Sequence, residues 1–523
     1  MHTYHFATIT AIALTSALVA APTRTPTPQN LPRTADGKPN LEGIWQAAST
    51  AGADLQDHAA SLNMLAGRSV VQSGVIPYQP WAAAKKAENF RNREKADPVA
   101  SCYMPGTPRI MYMDYPFQIF QTPQAVAFDF EWYLIYRLIY TDGTKHPSDI
   151  DTWMGDSRGH WEGDTLVVDV ANFNDKTWFD MAGDFHSEAL HIVERYQMTG
   201  PNTIRYEATI EDPKVFTKPW TITLDLERRT DRDRLFEYVC QAEVEEANGE
   251  FAREDRTWYP GQGSTPPAKF VATPSADGTP HLPVKAAANI RRRPDGKPDL
   301  QGFYESQAGA SNQGLERRAA NGLVPGGKGI IIDPTDGKLP MQPWAVDERA
   351  SRERPERGYD DPTAHCFPPG VPRSMYVPAA FHIIQAPNYI VFLHERMAWR
   401  IVPVDGRPHL ADSIRLWQGD SVGHWEGDTL VIDTTNFNGK TWLNEGGEVI
   451  SYAARVVERI TPTGPDKLQY EATVNDPIVY TRPWTIAFPI QQEKFELIES
   501  TCHETDHDLP HLKALKDAAA VKK

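Results

Sequence analysis

Two carboxylates in the first half of the chain, Asp129 and Glu131, have a spacing that suits general acid/base chemistry. They lie two positions apart in a β-forming segment, and alternate residues of a strand share a face. If that face is a barrel interior, the two carboxyl groups can hold different pKa values and move a proton, with Arg137 on the same segment. On an exposed face the same charges would only be solvated, and the sequence leaves both possibilities open.

Four histidines of the same half could pass protons in such a reaction, because imidazole titrates near neutral pH. None stands in the HxH or HExxH spacing that is typical of zinc sites. The sequence therefore predicts no metal site, although ligands that converge from separate strands leave no motif. The predicted catalytic residues are Asp129, Glu131, His146, His160, His186 and Tyr112, and the fourth histidine is His191.

Arginines and aromatic residues near these positions predict the substrate class. A guanidinium binds a carboxylate through two hydrogen bonds, and aromatic side chains can form the apolar wall of a small-molecule site, although on strands they more often belong to a core. The chain has no P-loop and no GxGxxG after a strand, so no nucleotide or nicotinamide cofactor is expected. The predicted substrate-binding residues are Arg109, Arg137, Tyr136 and Trp153.

The chain contains a long internal repeat. Residues 159–178 read GHWEGDTLVVDVANFNDKTW and residues 423–442 read GHWEGDTLVIDTTNFNGKTW. Trp161 and Trp425 are 264 positions apart, a period that fits a domain duplicated in tandem. Polar residues present in one copy only can mark a single surviving site. The first copy alone has Asp129, His186 and His191, where the second has Leu393, Ile450 and Arg455, and the second alone has His394, opposite Phe130.

Each copy has the pattern of a β-rich domain. Short β-branched and aromatic runs alternate with Asp-Gly and Thr-Pro turn signals, which favour antiparallel hairpins. Glu162-Gly163-Asp164 fits such a turn, because Gly supplies positive φ. Pro and Trp introduce one short helix in each copy, at residues 77–94 and 340–356. We expect mainly β domains with eight to ten antiparallel strands each, forming lipocalin-like β-barrels or β-sandwiches.

The domain organisation follows from the repeat and from composition. An apolar N-terminal stretch that ends in small residues is typical of a signal peptide, and Pro-rich stretches are typical of linkers. The predicted segments are a signal peptide (1–21), a linker (22–36), the first β domain (37–258), a Pro-rich linker (259–292), the second β domain (293–506) and a tail (507–523) that is helical or disordered.

Charge and cysteine usage restrict the function further. A formal net charge of −16 argues against nucleic acid and anionic membranes as partners. No second segment approaches the length of a membrane span. The duplication favours one disulfide in each copy over free thiols, joining an early loop to a last strand at residues 233–244 in the first copy. The cysteines would pair as Cys102 with Cys240 and Cys366 with Cys502.

Several long strings resemble a large family of exported bacterial proteins of unknown function. They include CYMPGTPR (102–109), GHWEGDTLVVD (159–169) and FHSEALHIVERY (185–196). The resemblance implies a periplasmic or secreted location and a domain unit, and no activity.

Two functions fit the residues. The first is a cofactor-independent enzyme, a lyase or decarboxylase, acting on a small aromatic or apolar carboxylic acid by general acid/base chemistry. The alternative is a non-catalytic binding protein for a hydrophobic ligand or partner.

Overall fold

The computed structural model describes residues 31–61, 64–247, 282–320, 326–396, 398–500, 502 and 508–521. The predicted signal peptide, most of the first linker and residues 259–281 of the second linker lie outside these ranges. Within them the protein is mainly β, with one barrel-like sheet in each copy. The predicted fold class is confirmed.

The first copy forms a closed barrel of nine strands. They are β1 (Gly43–Ala47), β2 (Phe117–Gln121), β3 (Ala125–Phe130), β4 (Tyr136–Tyr140), β5 (Asp156–Glu162), β6 (Thr165–Ala171), β7 (His191–Gly200), β8 (Thr203–Glu211) and β9 (Trp220–Arg228). Each strand pairs with the next, and β9 closes the barrel on β1. All these pairs are antiparallel except β4–β5, which is parallel because a long connection, rather than a tight turn, joins the two strands.

The second copy forms a nearly closed barrel. Its strands are β10 (Gly302–Ser306), β11 (Ile331–Asp333), β12 (Phe381–Ala386), β13 (Tyr389–His394), β14 (Ala398–Pro403), β15 (Asp420–Glu426), β16 (Thr429–Thr435), β17 (Arg455–Pro462), β18 (Lys467–Asn475) and β19 (Trp484–Glu493). The sheet runs from β14 through β10 and β19 to β15, and β11 adds to β19. The two ends of this sheet, β14 and β15, correspond to the parallel pair of the first barrel.

Along the strands, buried and more exposed residues alternate, and the buried side chains fill the barrel interiors. On β7, Ile192, Glu194 and Tyr196 are buried while their neighbours are more exposed, as expected for a strand with one face in a core. In the first barrel, Phe128 and Tyr196 have ring centroids 5.5 Å apart. The predicted turn at Gly163 is a hairpin with a φ of 61°. The interior of the first barrel is therefore a packed core.

Four α-helices lie among the described residues: α1 (Pro80–Ala96), α2 (Cys240–Ala247), α3 (Pro343–Arg352) and α4 (Leu509–Val521). The helices α1 and α3 confirm the two helices predicted from Pro and Trp. The predicted strand at 233–244 is wrong, because Cys240 begins α2 instead. Both predicted disulfides are present, with Cα atoms 5.7 Å apart in each. None of the described helices combines the length and the apolar character needed to cross a membrane.

The segment after the last strand of each copy reaches the other copy. We call residues 231–247 the first arm and residues 494–500 the second arm. In the first arm, the Glu237 carboxylate accepts the backbone N–H groups of Trp417 and Gln418, at 2.5 and 2.9 Å. In the second arm, Glu499 accepts those of Trp153 and Met154, at 2.7 and 3.0 Å. The two copies thus exchange arms.

A third apolar cluster joins the two barrels. It includes Ala127 and Tyr136 from the outer face of the first barrel and Val391 and Leu393 from that of the second. Leu235 of the first arm packs in the same cluster. The outer faces of β2–β4 and β12–β14 are therefore buried against each other.

Candidate functional site

The two predicted acid/base carboxylates do not share a strand face. Strand β3 ends at Phe130, so Glu131 lies beyond it, and this part of the prediction is wrong. Glu131 accepts hydrogen bonds from Arg232 Nη1 at 2.6 Å and from the backbone N–H of Phe236 at 3.1 Å. It holds the start of the first arm against its own barrel.

Asp129 is fully buried on the outer face of β3, the face that includes Ala127 and meets the second barrel. Its cross-strand neighbours are Gln118 and Tyr136. Neither of its carboxylate oxygens has a hydrogen-bond partner among the described residues. Burial raises the pKa of Asp129 well above its usual range.

Three further predicted residues already have protein partners in the core. Arg109 makes a bidentate ion pair with Asp97, at 2.7 and 2.8 Å. Tyr112 donates to the carbonyl of Phe179 at 2.9 Å. Arg137 lies in the barrel interior, where it pairs with Glu194 at 2.5 and 3.0 Å. Each of these side chains is thus paired with another part of the protein. We interpret these contacts as structural, holding the core together.

The remaining predicted residues are spread over the first copy. Both ring nitrogens of His186 are occupied, by Thr177 Oγ1 at 2.6 Å and the Ser187 carbonyl at 2.9 Å, and burial lowers its pKa. The His160 side chain is 62% exposed on the surface. Tyr136 lies in the cluster between the barrels. Trp153 stacks on Tyr103 with centroids 5.2 Å apart.

Residues 155–159 read GDSRG, the GxSxG spacing of a nucleophile elbow. The fold does not build that elbow, because Ser157 lies on β5 with no helix after it. Its hydroxyl is buried and accepts a hydrogen bond from Arg137 Nε at 3.0 Å. The geometry therefore gives no support to a serine nucleophile at this position.

His146 is the predicted histidine with the most acidic surroundings. Its Nδ1 lies 2.5 Å from Asp156 Oδ2, and its Nε2 lies 3.0 Å from Asp169 Oδ1. The Nε2 of His191 reaches the same Asp169 oxygen at 3.1 Å. Arg158 in turn binds both oxygens of Asp156, at 2.7 Å each. The fold thus brings together two histidines and two carboxylates that are separated in sequence.

The second copy builds a related cluster around His409, whose Nδ1 lies 2.9 Å from Asp420. Burial disfavours its charge, but the hydrogen bond to Asp420 and the negative charge of Asp433, whose Oδ2 lies 3.5 Å from Nε2, outweigh burial and raise the pKa of His409 to about 9. Arg455, the counterpart of His191, binds both oxygens of Asp433 at 2.6 and 2.8 Å. Arg234 of the first arm also binds Asp420, at 2.7 Å. This cluster therefore carries two permanent cations, Arg455 and Arg234, and a histidine that is charged at neutral pH.

The raised pKa of His409 predicts a pH dependence of stability. Because the folded pKa lies above the ordinary value near 6.5, the stabilisation is complete below about pH 6.5 and is lost as pH rises to about 9. We expect His409→Ala to cost about 1 kcal/mol at pH 6, allowing for solvent screening, and almost nothing at pH 9.5. Urea unfolding at both pH values measures this. The exposed His424→Ala is the matched control, and an equal cost of His409→Ala at both pH values would contradict the assignment.

Three carboxylates of the first copy, Asp54, Asp180 and Asp184, place oxygens within 4.8 Å of one another. This arrangement could hold a cation. However, both oxygens of Asp180 accept backbone N–H groups, from Leu55 and Asp184. Tyr78 donates to Asp184 at 2.6 Å. The cluster therefore ties the loop after β1 to the segment before β7.

A cavity of about 110 Å³ lies between the two barrels. Its wall is mainly apolar and includes Leu134, Ile135 and Val239 from the first copy and Phe367 and Ala379 from the second. One cysteine of the first disulfide and both cysteines of the second also line it. None of the six predicted catalytic residues contributes to this wall.

Two buried polar side chains of the cavity wall have no hydrogen-bond partner in the part of the chain that the structure describes. His394 Nε2 and Ser374 Oγ are inaccessible to solvent and make no hydrogen bond with any described residue. Burial, with a smaller effect of Arg400, lowers the pKa of His394 to about 3, so its ring is neutral. Arg396, also on the wall, is exposed. An unpaired acceptor or donor in an apolar cavity costs free energy unless a ligand or water pairs with it.

Three polar residues of the cavity wall have no polar counterpart in the first copy. Where the second copy has Ser374, His394 and Arg396, the first copy has Ile110, Phe130 and Trp132. His394 stood out in the sequence as a histidine of one copy only, but it was not among the predicted catalytic residues. The signal in the sequence that could have found this site is the change from three apolar residues in the first copy to three polar residues in the second. Nothing in the sequence shows that these three residues line one cavity.

No protein-family model matches the chain, and no curated protein matches it.

Proposed function

We propose that the protein binds a small aromatic or apolar carboxylic acid in the cavity between the two barrels. The observation that carries this proposal is an apolar wall together with two buried polar groups, His394 and Ser374, that have no hydrogen-bond partner among the described residues. Small-molecule sites combine an apolar lining with a few placed polar groups in this way. A volume of about 110 Å³ is close to the ~150 Å³ of a cavity known to hold benzene.

Charge at the cavity wall supports an acidic ligand. The exposed Arg396 has no close ion pair with a described side chain, although its charge acts on the Glu445 carboxylate, which lines the same wall. Its guanidinium can bind the carboxylate of a ligand in addition. The neutral ring of His394 and the hydroxyl of Ser374 would pair with the polar atoms of the ligand. The ring or alkyl part would occupy the apolar wall.

Binding without catalysis is the form of the function that the geometry supports best. A histidine whose pKa is about 3 is a weak general base at neutral pH. The predicted catalytic residues lie in other parts of the first copy, several with their polar atoms already engaged. Lyase or decarboxylase chemistry therefore gains no support from their arrangement. The two disulfides support the proposed periplasmic or secreted location.

Substituting the residues of the first copy, Ile110 and Phe130, at the corresponding positions of the second copy tests the proposal. Isothermal titration with benzoate, 4-hydroxybenzoate and hexanoate measures affinity for the wild type and for the double variant Ser374→Ile/His394→Phe. The variant fills the cavity with the side chains of the first copy, so we expect affinity to fall at least about tenfold while thermal stability is kept. His424→Ala, a surface change in the same copy, should bind as the wild type does. Equal binding by the filled variant, or no binding by the wild type, would overturn the proposal.

A further inference from the structure

We propose that the ligand of the cavity between the barrels is an α-amino acid with an aromatic or apolar side chain. This inference rests on the proposed function and narrows it, since it adds an ammonium group next to the carboxylate of the ligand. The feature that carries it is the presence of an arginine and a glutamate, Arg396 and Glu445, in the wall of one mainly apolar cavity.

The two charges of the cavity wall are complementary to the two charges of an amino acid. Arg396 and Glu445 are both exposed, whereas His394 and Ser374 of the same wall are buried. The charged pair therefore lies at the open side of the cavity. A guanidinium only donates hydrogen bonds and a carboxylate only accepts them. The carboxylate of the ligand would bind Arg396 and its ammonium Glu445, with the apolar side chain directed into the cavity.

The charge of Glu445 disfavours an acid that lacks an ammonium group. Such a ligand would bring its carboxylate close to that of Glu445, and like charges repel strongly where water is partly excluded. Desolvation raises the pKa of Glu445 above its ordinary value, and the positive charges of Arg373 and Arg396 offset this effect only in part. An ammonium group beside Glu445 would compensate the remaining cost of its negative charge.

Asn312, another residue of the cavity wall, holds Glu445 in place. Its Nδ2 donates to Glu445 Oε1 at 2.7 Å, and its Oδ1 accepts from Arg373 Nε at 3.0 Å. Because arginine only donates and a carboxylate only accepts, these two partners fix the orientation of the amide. Arg373 is itself bound to both oxygens of Asp361, at 2.8 and 2.9 Å. The Glu445 carboxylate is thus positioned from the core, and its oxygens keep lone pairs for a ligand.

The internal repeat shows that this arrangement belongs to the second copy. Where the second copy has Asn312 and Glu445, the first has Gly52 and Met181. In the first copy the Met181 N–H donates to the Gly52 carbonyl at 3.1 Å. In the second copy the Glu445 N–H donates to the Asn312 carbonyl at 2.8 Å, so the positions correspond. Together with the three polar residues described above, five positions around one cavity are polar where the first copy has apolar residues or glycine.

Three ligands with the same ring test the inference by isothermal titration at pH 7: L-phenylalanine, 3-phenylpropanoate, which lacks the ammonium group, and phenethylamine, which lacks the carboxylate. The wild type should bind phenylalanine at least about tenfold more tightly than either of the others. Glu445→Gln keeps an acceptor for Asn312 but removes the charge. It should bind phenylalanine about tenfold or more weakly and 3-phenylpropanoate as well as the wild type or better. A purely structural role of Glu445 would weaken both ligands equally.

The control is Glu305→Gln, an exposed glutamate of the same copy outside the cavity wall, which should bind all three ligands as the wild type does. Equal binding of phenylalanine and 3-phenylpropanoate, unchanged in Glu445→Gln, would overturn this inference and leave the binding of simple acids standing. Phenethylamine binding as tightly as phenylalanine would overturn it too, because Arg396 would then contribute nothing. If none of the three binds but benzoate does, this inference alone fails. If benzoate and hexanoate also fail to bind, the proposed function fails with it.

Discussion

Replacing Arg137 by Met is expected to lower the free energy of unfolding by about 3–5 kcal/mol. The Arg137 and Glu194 side chains are 2 and 0% exposed in the barrel interior. Removing the guanidinium leaves the Glu194 carboxylate buried, and among the described residues the remaining donors to it are the hydroxyls of Tyr196 and Tyr206, at 3.2 and 2.6 Å. The interior cannot solvate the remaining charge, so the cost exceeds that of the lost contact.

Urea unfolding monitored by tryptophan fluorescence measures this effect. The matched control is Arg195→Met, which breaks the exposed pair with Glu162 and should cost less than about 1 kcal/mol. The double change Arg137→Met/Glu194→Leu should recover much of the loss, because it leaves no unpaired charge. If Arg137→Met cost no more than Arg195→Met, the ion pair would not be buried as the structure has it.

Replacing Asp129 by Leu is expected to raise the free energy of unfolding by about 1–3 kcal/mol at pH 7. The carboxyl group lies between the barrels without a hydrogen-bond partner among the described residues. The second copy has Leu393 at the corresponding position, in the same apolar cluster. A leucine is thus already compatible with this interface.

The gain from Asp129→Leu should depend on pH. Because burial raises the pKa of Asp129, the folded state holds a proton that the unfolded state has lost above about pH 4, so this group lowers stability as pH rises. The gain should be smallest near pH 4 and should grow towards neutral pH. Asp129→Asn, which keeps a polar group without the charge, separates ionisation from polarity. A loss of stability in Asp129→Leu would show that the carboxyl group has a favourable partner in solution.

Much of the fold could be predicted because its causes are local. The Glu-Gly-Asp turn, the alternation along β6 and β7 and the Pro–Trp helix starts act within a few residues, and the duplication showed each of them twice. The cysteine pairing was likewise visible from matching positions. The end of β3 could not be predicted, because the sequence at Phe130 and Glu131 also fits a longer strand. The chain instead turns through Tyr133 and Leu134, which have positive φ, and Glu131 binds Arg232.

The candidate sites depend on contacts between distant segments, which sequence spacing does not show. Glu237 looks like any acidic residue of a charged segment, and its role depends on two backbone N–H groups of the other copy. His394 and Ser374 differ visibly from their counterparts, but only the packing of two barrels makes them neighbours of one cavity. His146 and His191 are 45 positions apart in sequence and meet at Asp169.

The exchange of arms has a consequence for the order in which the chain is made. The ribosome completes the first barrel and its arm before Trp417 and Gln418, which bind Glu237, have been synthesised. Until then Leu235 and Val239 lack the second barrel against which they pack. The nascent first half therefore exposes an apolar segment. This segment must avoid non-native contacts until the second half has been synthesised.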